Sequence, residues 1–149
     1  MDKLEEKRLA EIYNISFQEM QEIRRNNFRL FFGLMGLITI MSGWIITQKE
    51  PLCIDKQITM SIGILILSVI FHVLSKKLEK YFRQTASIIN KIDKIYGFFQ
   101  KGKYLNNELL LPKEWESFGN KKWKEPLFIV TNLSTVIFTL FGIVMIWFC

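Results

Sequence analysis

Histidine, cysteine and proline are scarce in this chain, which has one, two and three of them among 149 residues. His72, Cys53 and Cys149 together cannot fill a tetrahedral zinc site, so no metal centre is expected. No glycine-rich phosphate loop and no dinucleotide fingerprint is present, and no cofactor of any kind is expected. Ser68 stands four residues before His72, a spacing that could pair a nucleophile with a base. No acid lies in the same stretch to orient the imidazole. The arginine-to-histidine spacing of many small helical ribonucleases is also missing, because no arginine lies close upstream of His72. These absences argue against an enzyme.

Charge is absent over long distances. Asp, Glu, Lys and Arg make up 23% of the chain, yet none occurs in residues 30–48, 57–75 or 127–149. Each window is close to the roughly 20 apolar residues that cross a bilayer as a helix. In hydrocarbon the backbone has to satisfy its own hydrogen bonds, which a helix does. A soluble domain would interleave its charged and apolar residues instead. The expected fold is therefore an all-α membrane protein with three transmembrane helices, forming a single membrane unit over residues 1–149. Its parts are an amphipathic cytoplasmic helix (1–28), a first span (29–48), an outer loop (49–57) and a second span (58–75). A cytoplasmic helix (76–99) continues the second span, and an interfacial cytoplasmic segment (100–126) leads to the third span (127–149).

The net charge of +6 is placed unevenly. The short stretch 49–56 has two basic and two acidic residues, while 1–29 and 76–125 hold the other 18 basic and 12 acidic ones. Basic residues collect on the cytoplasmic side of membrane proteins. The expectation is an N-terminus and middle segment in the cytoplasm, a C-terminus outside, and a bacterial inner-membrane location. This placement accounts for the sign of the charge without a nucleic-acid partner; the expected partner is the bilayer. The first apolar window follows a charged stretch and has no small-residue cleavage site after it, so a cleaved signal peptide is not expected. No lipidation motif is found.

Leu9, Ile12, Tyr13, Phe17, Met20 and Ile23 recur at helical spacing before the first span. After the second, Leu78, Thr85, Ile92 and Phe99 repeat every seven residues, with Tyr81, Ile88 and Ile95 as companions and Phe82 widening the stripe. These eight residues form an expected cytoplasmic assembly face. The helices carrying the two patterns are expected to pack as an antiparallel cytoplasmic extension, with Gly97 and Gly102 ending the second.

Within the spans, Gly33, Gly36 and Gly43 share one face of the first, and Thr131, Ser134, Thr135, Phe138 and Gly142 one face of the third. Small residues let helices approach closely in a bilayer. The partner is either another span of the chain or a second copy. Trp44 is an expected interfacial anchor, and Asn132 an expected interhelical donor. Ser61, Ser68, His72 and Ser75 form a polar stripe on the second span. That stripe either bonds a neighbouring helix or lines a water-filled path. Lys113, Trp115, Lys121, Lys122, Trp123 and Lys124 suit the inner lipid surface, with a protein-binding surface as the alternative. Cys53 and Cys149 fall near the outer face, where an oxidising exterior would allow a disulfide.

The charged first helix, the sequence RRNNFRLFFGLMG opening a span, and a second span leading into KYFRQTASIINKIDKIYGFF give a distinctive layout. It resembles that of small bacterial inner-membrane proteins, including those encoded beside anti-phage defence genes. The resemblance implies a protein that assembles in the inner membrane and alters its permeability when activated, and so a defence effector. A chain with three spans encloses little by itself, so a pore formed or gated by it implies a homo-oligomer. The alternative is a membrane anchor or adaptor subunit that recruits a soluble cytoplasmic partner.

Overall fold

The computed structural model describes residues 3–48, 53–106, 108–120 and 125–148. They form α1 (Lys3–Ile46), α2 (Ile54–Tyr96), a short 3-10 helix (Lys113–Ser117) and α3 (Pro126–Phe148). The only β pairing among the described residues is a single bridge between Leu105 and Glu108. The chain is all-helical, and α1, α2 and α3 are each long and apolar enough to cross a membrane, with windows of mean hydropathy 1.7, 2.2 and 2.2.

Local chemistry explains the helix ends. Glu5 and Glu6 lie in the first turn of α1 and Asp55 in that of α2, where the helix dipole favours negative charge. α2 starts at Ile54, inside the stretch 49–57 expected to be loop. It ends at Tyr96, three residues before the expected boundary, because Gly97 turns left-handed with φ +74°. The Phe98 N–H then bonds the Asp93 carbonyl at 3.0 Å and the Gly97 N–H bonds that of Lys94 at 3.1 Å. This closure satisfies carbonyls that a helix end otherwise leaves open. Pro126 takes the first helical position of α3, where its missing N–H costs nothing.

The chain divides into two compact units. The charged unit comprises Met1–Arg25 and Leu78–Lys124. In it α1 and α2 run antiparallel, with the Tyr96 hydroxyl donating to the Glu6 carbonyl at 3.3 Å and the Arg24 guanidinium 5.1 Å from the Phe82 ring centre. Met20, Phe82, Ala86, Ile89 and Ile92 are buried there. The segment after Gly97 folds back on α2: Phe118 packs edge-on against Phe82, and Asn90 donates to the carbonyls of Glu116 at 2.8 Å and Phe118 at 2.7 Å.

The apolar unit comprises Asn26–Lys77 and Glu125–Cys149. Its core joins Leu34, Met35, Ile38 and Ile45 of α1 to Ile64 and Phe71 of α2 and Ile146 of α3. Only 28%, 22% and 28% of the three membrane-length windows is buried inside the protein. The outward residues include Ile40, Ile62, Val69, Val130 and Leu140, all at least 51% exposed. An apolar surface of this extent is unfavourable in water and suits hydrocarbon.

Candidate functional site

Polar side chains inside the apolar unit bond one another across the three helices. Asn27 on α1 is fully buried, as is Ser75 on α2. The Ser75 hydroxyl donates to Asn27 Oδ1 at 3.0 Å, and Asn27 Nδ2 donates to Thr131 Oγ1 on α3 at 3.0 Å. One residue from each helix therefore enters a single relay. Further along, Ser68 bonds Thr139, the Trp147 indole donates to Ser61 at 3.2 Å, and Gln57 donates to the Ile146 carbonyl at 3.1 Å. Residues 61, 68 and 75 of α2 thus meet 147, 139 and (through Asn27) 131 of α3, which makes the two helices antiparallel neighbours.

The direction of these bonds follows from α3 itself. Thr131, Thr135 and Thr139 each donate to the carbonyl four residues earlier, at 3.0, 2.8 and 2.7 Å. A hydroxyl has one proton and two lone pairs. Each of these threonines has given its proton to its own helix, which leaves Thr131 and Thr139 as acceptors toward their neighbours. Thr139 therefore accepts from Ser68, as Thr131 accepts from Asn27.

The stripe expected on α2 thus divides. Ser61, Ser68 and Ser75 are hydrogen-bonded inside the unit, while His72 is half-buried and shares none of their bonds. On α3 the inward face is Phe128, Thr131, Thr135, Thr139, Gly142 and Ile146. Ser134 is half-buried and Phe138 is 42% exposed, so the expected face is rotated by about one position. Asn132 donates to the Phe128 carbonyl of its own helix at 2.7 Å, which corrects the expectation of an interhelical bond. That role belongs to Asn27, which sequence reasoning passed over because it sits among Arg24, Arg25 and Arg29 at the charge boundary.

The glycines divide as well. A Cβ on Gly142 would lie 3.1 Å from Ile38 Cγ2 and 3.4 Å from Ile64 Cδ1, so α3 approaches both other helices there. Gly33, Gly36 and Gly43 are exposed, and among the described residues nothing lies within 4 Å of a Cβ built on any of them. Of the two partners left open for them, the described residues of this chain supply none: Leu34, Met35, Ile38, Ser42 and Ile45 form the inward face of α1. Trp44 is 49% exposed on the same helix.

In the charged unit the heptad face expected for assembly also splits. Phe82, Thr85 and Ile92 are buried, and Leu78 and Phe99 are half-buried. Tyr81, Ile88 and Ile95 are 47%, 42% and 55% exposed and leave an apolar line of period seven on the outside of α2. Lys113 and Trp115 on the 3-10 helix are exposed. Lys121, Lys122, Trp123 and Lys124 lie outside the described residues, as does Cys149 and with it the pairing expected with the exposed Cys53.

Asp93 is buried in this unit, and its Oδ1 and that of Asn90 have no hydrogen-bond partner among the described residues. Burial pushes the Asp93 carboxyl up to about 6. It also raises the Tyr13 phenol, to which the nearby Asp93 charge adds. No group of three or more His, Cys, Asp or Glu side chains among the described residues could hold a metal ion.

Comparison with family models, with curated proteins and with solved structures finds no match to this chain. Its class therefore rests on its own features, which are those of a helical protein with three membrane-length helices.

Proposed function

We propose that this chain is an oligomeric bacterial inner-membrane protein that alters membrane permeability, with its N-terminus and the region 76–126 in the cytoplasm and its C-terminus outside. The observation that carries this reading is the outward glycine face of α1. Glycine weakens a helix by about 1 kcal/mol relative to alanine in water, and in bilayers it is used where helix backbones meet. Among the described residues nothing lies within 4 Å of a Cβ built on Gly33, Gly36 or Gly43, and this reading assigns them a second copy as partner. The α2 serines are engaged inside the unit. A conduit in this reading forms between copies and not through one. The layout resemblance to proteins encoded beside defence genes supports a role as a defence effector.

Native mass spectrometry in mild detergent tests the assembly step. Wild type is expected as a multimer, and Gly36→Leu as a monomer with unchanged helicity. Lipid-bilayer recording tests the permeability step, which fails if no oligomeric state conducts.

The exposed line Tyr81, Ile88 and Ile95 favours a second reading, a membrane anchor that recruits a soluble partner. In that case a monomeric chain co-purifies with a stoichiometric partner, and Tyr81→Ser with Ile95→Ser releases it.

A further inference from the structure

One face of α2 in the charged unit carries three cations and has a backbone wall standing against it. Lys80, Arg83 and Lys91 line an open groove of about 820 Å³, with Gln84 and Ser87 between them. Steps of three and four residues keep these side chains on one side of the helix. Ile88 forms the apolar part of the lining, Gly119 closes the other side, and among the described residues none of the lining is acidic. The Glu79 carboxylate lies 4.0 Å from Arg83 Nε.

The wall is a built feature. Gly119 has φ +81°, a conformation that side chains disfavour. A Cβ there would come within 2.7 Å of Ser87 Cα and 2.8 Å of the Ala86 carbonyl carbon. The turn can therefore lie on the helix backbone only because residue 119 is glycine. It is held there by the two Asn90 bonds to the carbonyls of Glu116 and Phe118.

We propose that this groove binds the phosphate group of an anionic ligand. Lys80 and Lys91 offer compact charge to phosphate oxygens, and Arg83, held beside Glu79, adds a third cation to the groove. The Ser87 hydroxyl and Gln84 amide supply neutral donors between the cations. The same chemistry is presented by a phospholipid headgroup and by a soluble phosphate.

The test uses the full chain in two arms. In one it is reconstituted with phosphatidylcholine alone or with added phosphatidylglycerol, and co-purifying lipid is read by native mass spectrometry. In the other it is titrated with inorganic pyrophosphate by calorimetry in neutral detergent. Selective retention of phosphatidylglycerol assigns the groove to a headgroup; pyrophosphate binding alone assigns it to a soluble phosphate. Lys80→Gln with Lys91→Gln is expected to weaken whichever binding is seen roughly thirtyfold, at about 1 kcal/mol per lysine. Ile88→Glu, at an exposed position, is expected to weaken it through charge alone while helicity stays the same. Lys3→Gln with Lys7→Gln removes equal charge from the other helix and is expected to leave binding intact. Binding in neither arm overturns the proposal, as does binding that the two groove variants leave unchanged or that the control variant weakens equally.

Discussion

Asn27, Ser75, Thr131, Ser68 and Thr139 in the apolar unit are neutral, and each meets another polar group. In the charged unit Asp93 is buried with an acceptor oxygen that meets none among the described residues, and so is Asn90 Oδ1. The contrast follows from what each unit can turn to when pairing fails. Hydrocarbon offers a stranded hydroxyl or amide nothing, so the residues tolerated there are short, uncharged and able to fall back on a helix carbonyl, as the three threonines do. A unit rich in charge can retain a buried carboxyl at the cost of a raised pKa, so that it takes up its proton at a higher pH than an exposed one. The exception in the apolar unit is Asn132 Oδ1, which has no partner among the described residues.

The largest expected effect sharpens the contrast between inward and outward glycines. Gly142→Leu forces a side chain against Ile38 and Ile64 and is expected to destabilise the protein by about 3 kcal/mol, the upper range for overpacking. Gly36→Leu is expected to leave unfolding unchanged once copies are dissociated. Thermal unfolding in micelles measures both, and equal losses would erase the distinction.

Asp93 comes next, and the sign of its pH effect is specific. Its folded carboxyl titrates near 6, above the ordinary 3.8. Below about pH 4 both folded and unfolded chains are protonated there, and the group contributes nothing. As pH rises from 4 to 6 the unfolded chain releases its proton first, so stability falls, by at most about 3 kcal/mol, and then levels. Asp93→Asn is expected to match wild type at pH 4 and to be the more stable above pH 6. Circular-dichroism melts across that range check it; a variant less stable at every pH would show that the buried carboxyl is not a liability.

Asn27→Leu removes two interhelical bonds at once and is expected to cost about 2 kcal/mol, read by the same melts. The smallest effect is the coupling between Ser68 and Thr139. A double-mutant cycle with Ser68→Ala and Thr139→Val is expected to give roughly 0.6 kcal/mol. A coupling of zero would mean that the hydroxyls touch without holding the helices together.

The three membrane-length helices were legible because hydrocarbon imposes its requirement on composition, residue by residue. Gly97 as a stop was legible for a similar reason: its effect is local to the chain. The destinations of polar and small residues were not. Ser61, Ser68 and Ser75 reveal by their spacing that they share a face, but not whether that face meets α3 or water. Gly36 and Gly142 look alike in sequence, yet only the second touches another helix. The groove beside Lys80 and Lys91 was hidden altogether, since it exists only where the Gly119 turn returns to Ser87.

The contact between α2 and α3 has one further property. Its serines recur every seven residues and its threonines every four, two intervals that do not divide one another. Sliding α3 by one turn would again set a threonine opposite Ser68, but would carry Trp147 away from Ser61. Sliding α2 by seven residues would replace one serine with another at the cost of the Asn27 relay. The contacts step by seven residues along α2 and by eight, two threonine intervals, along α3, so a slide of either helix gives up a bond at one end that the observed register keeps.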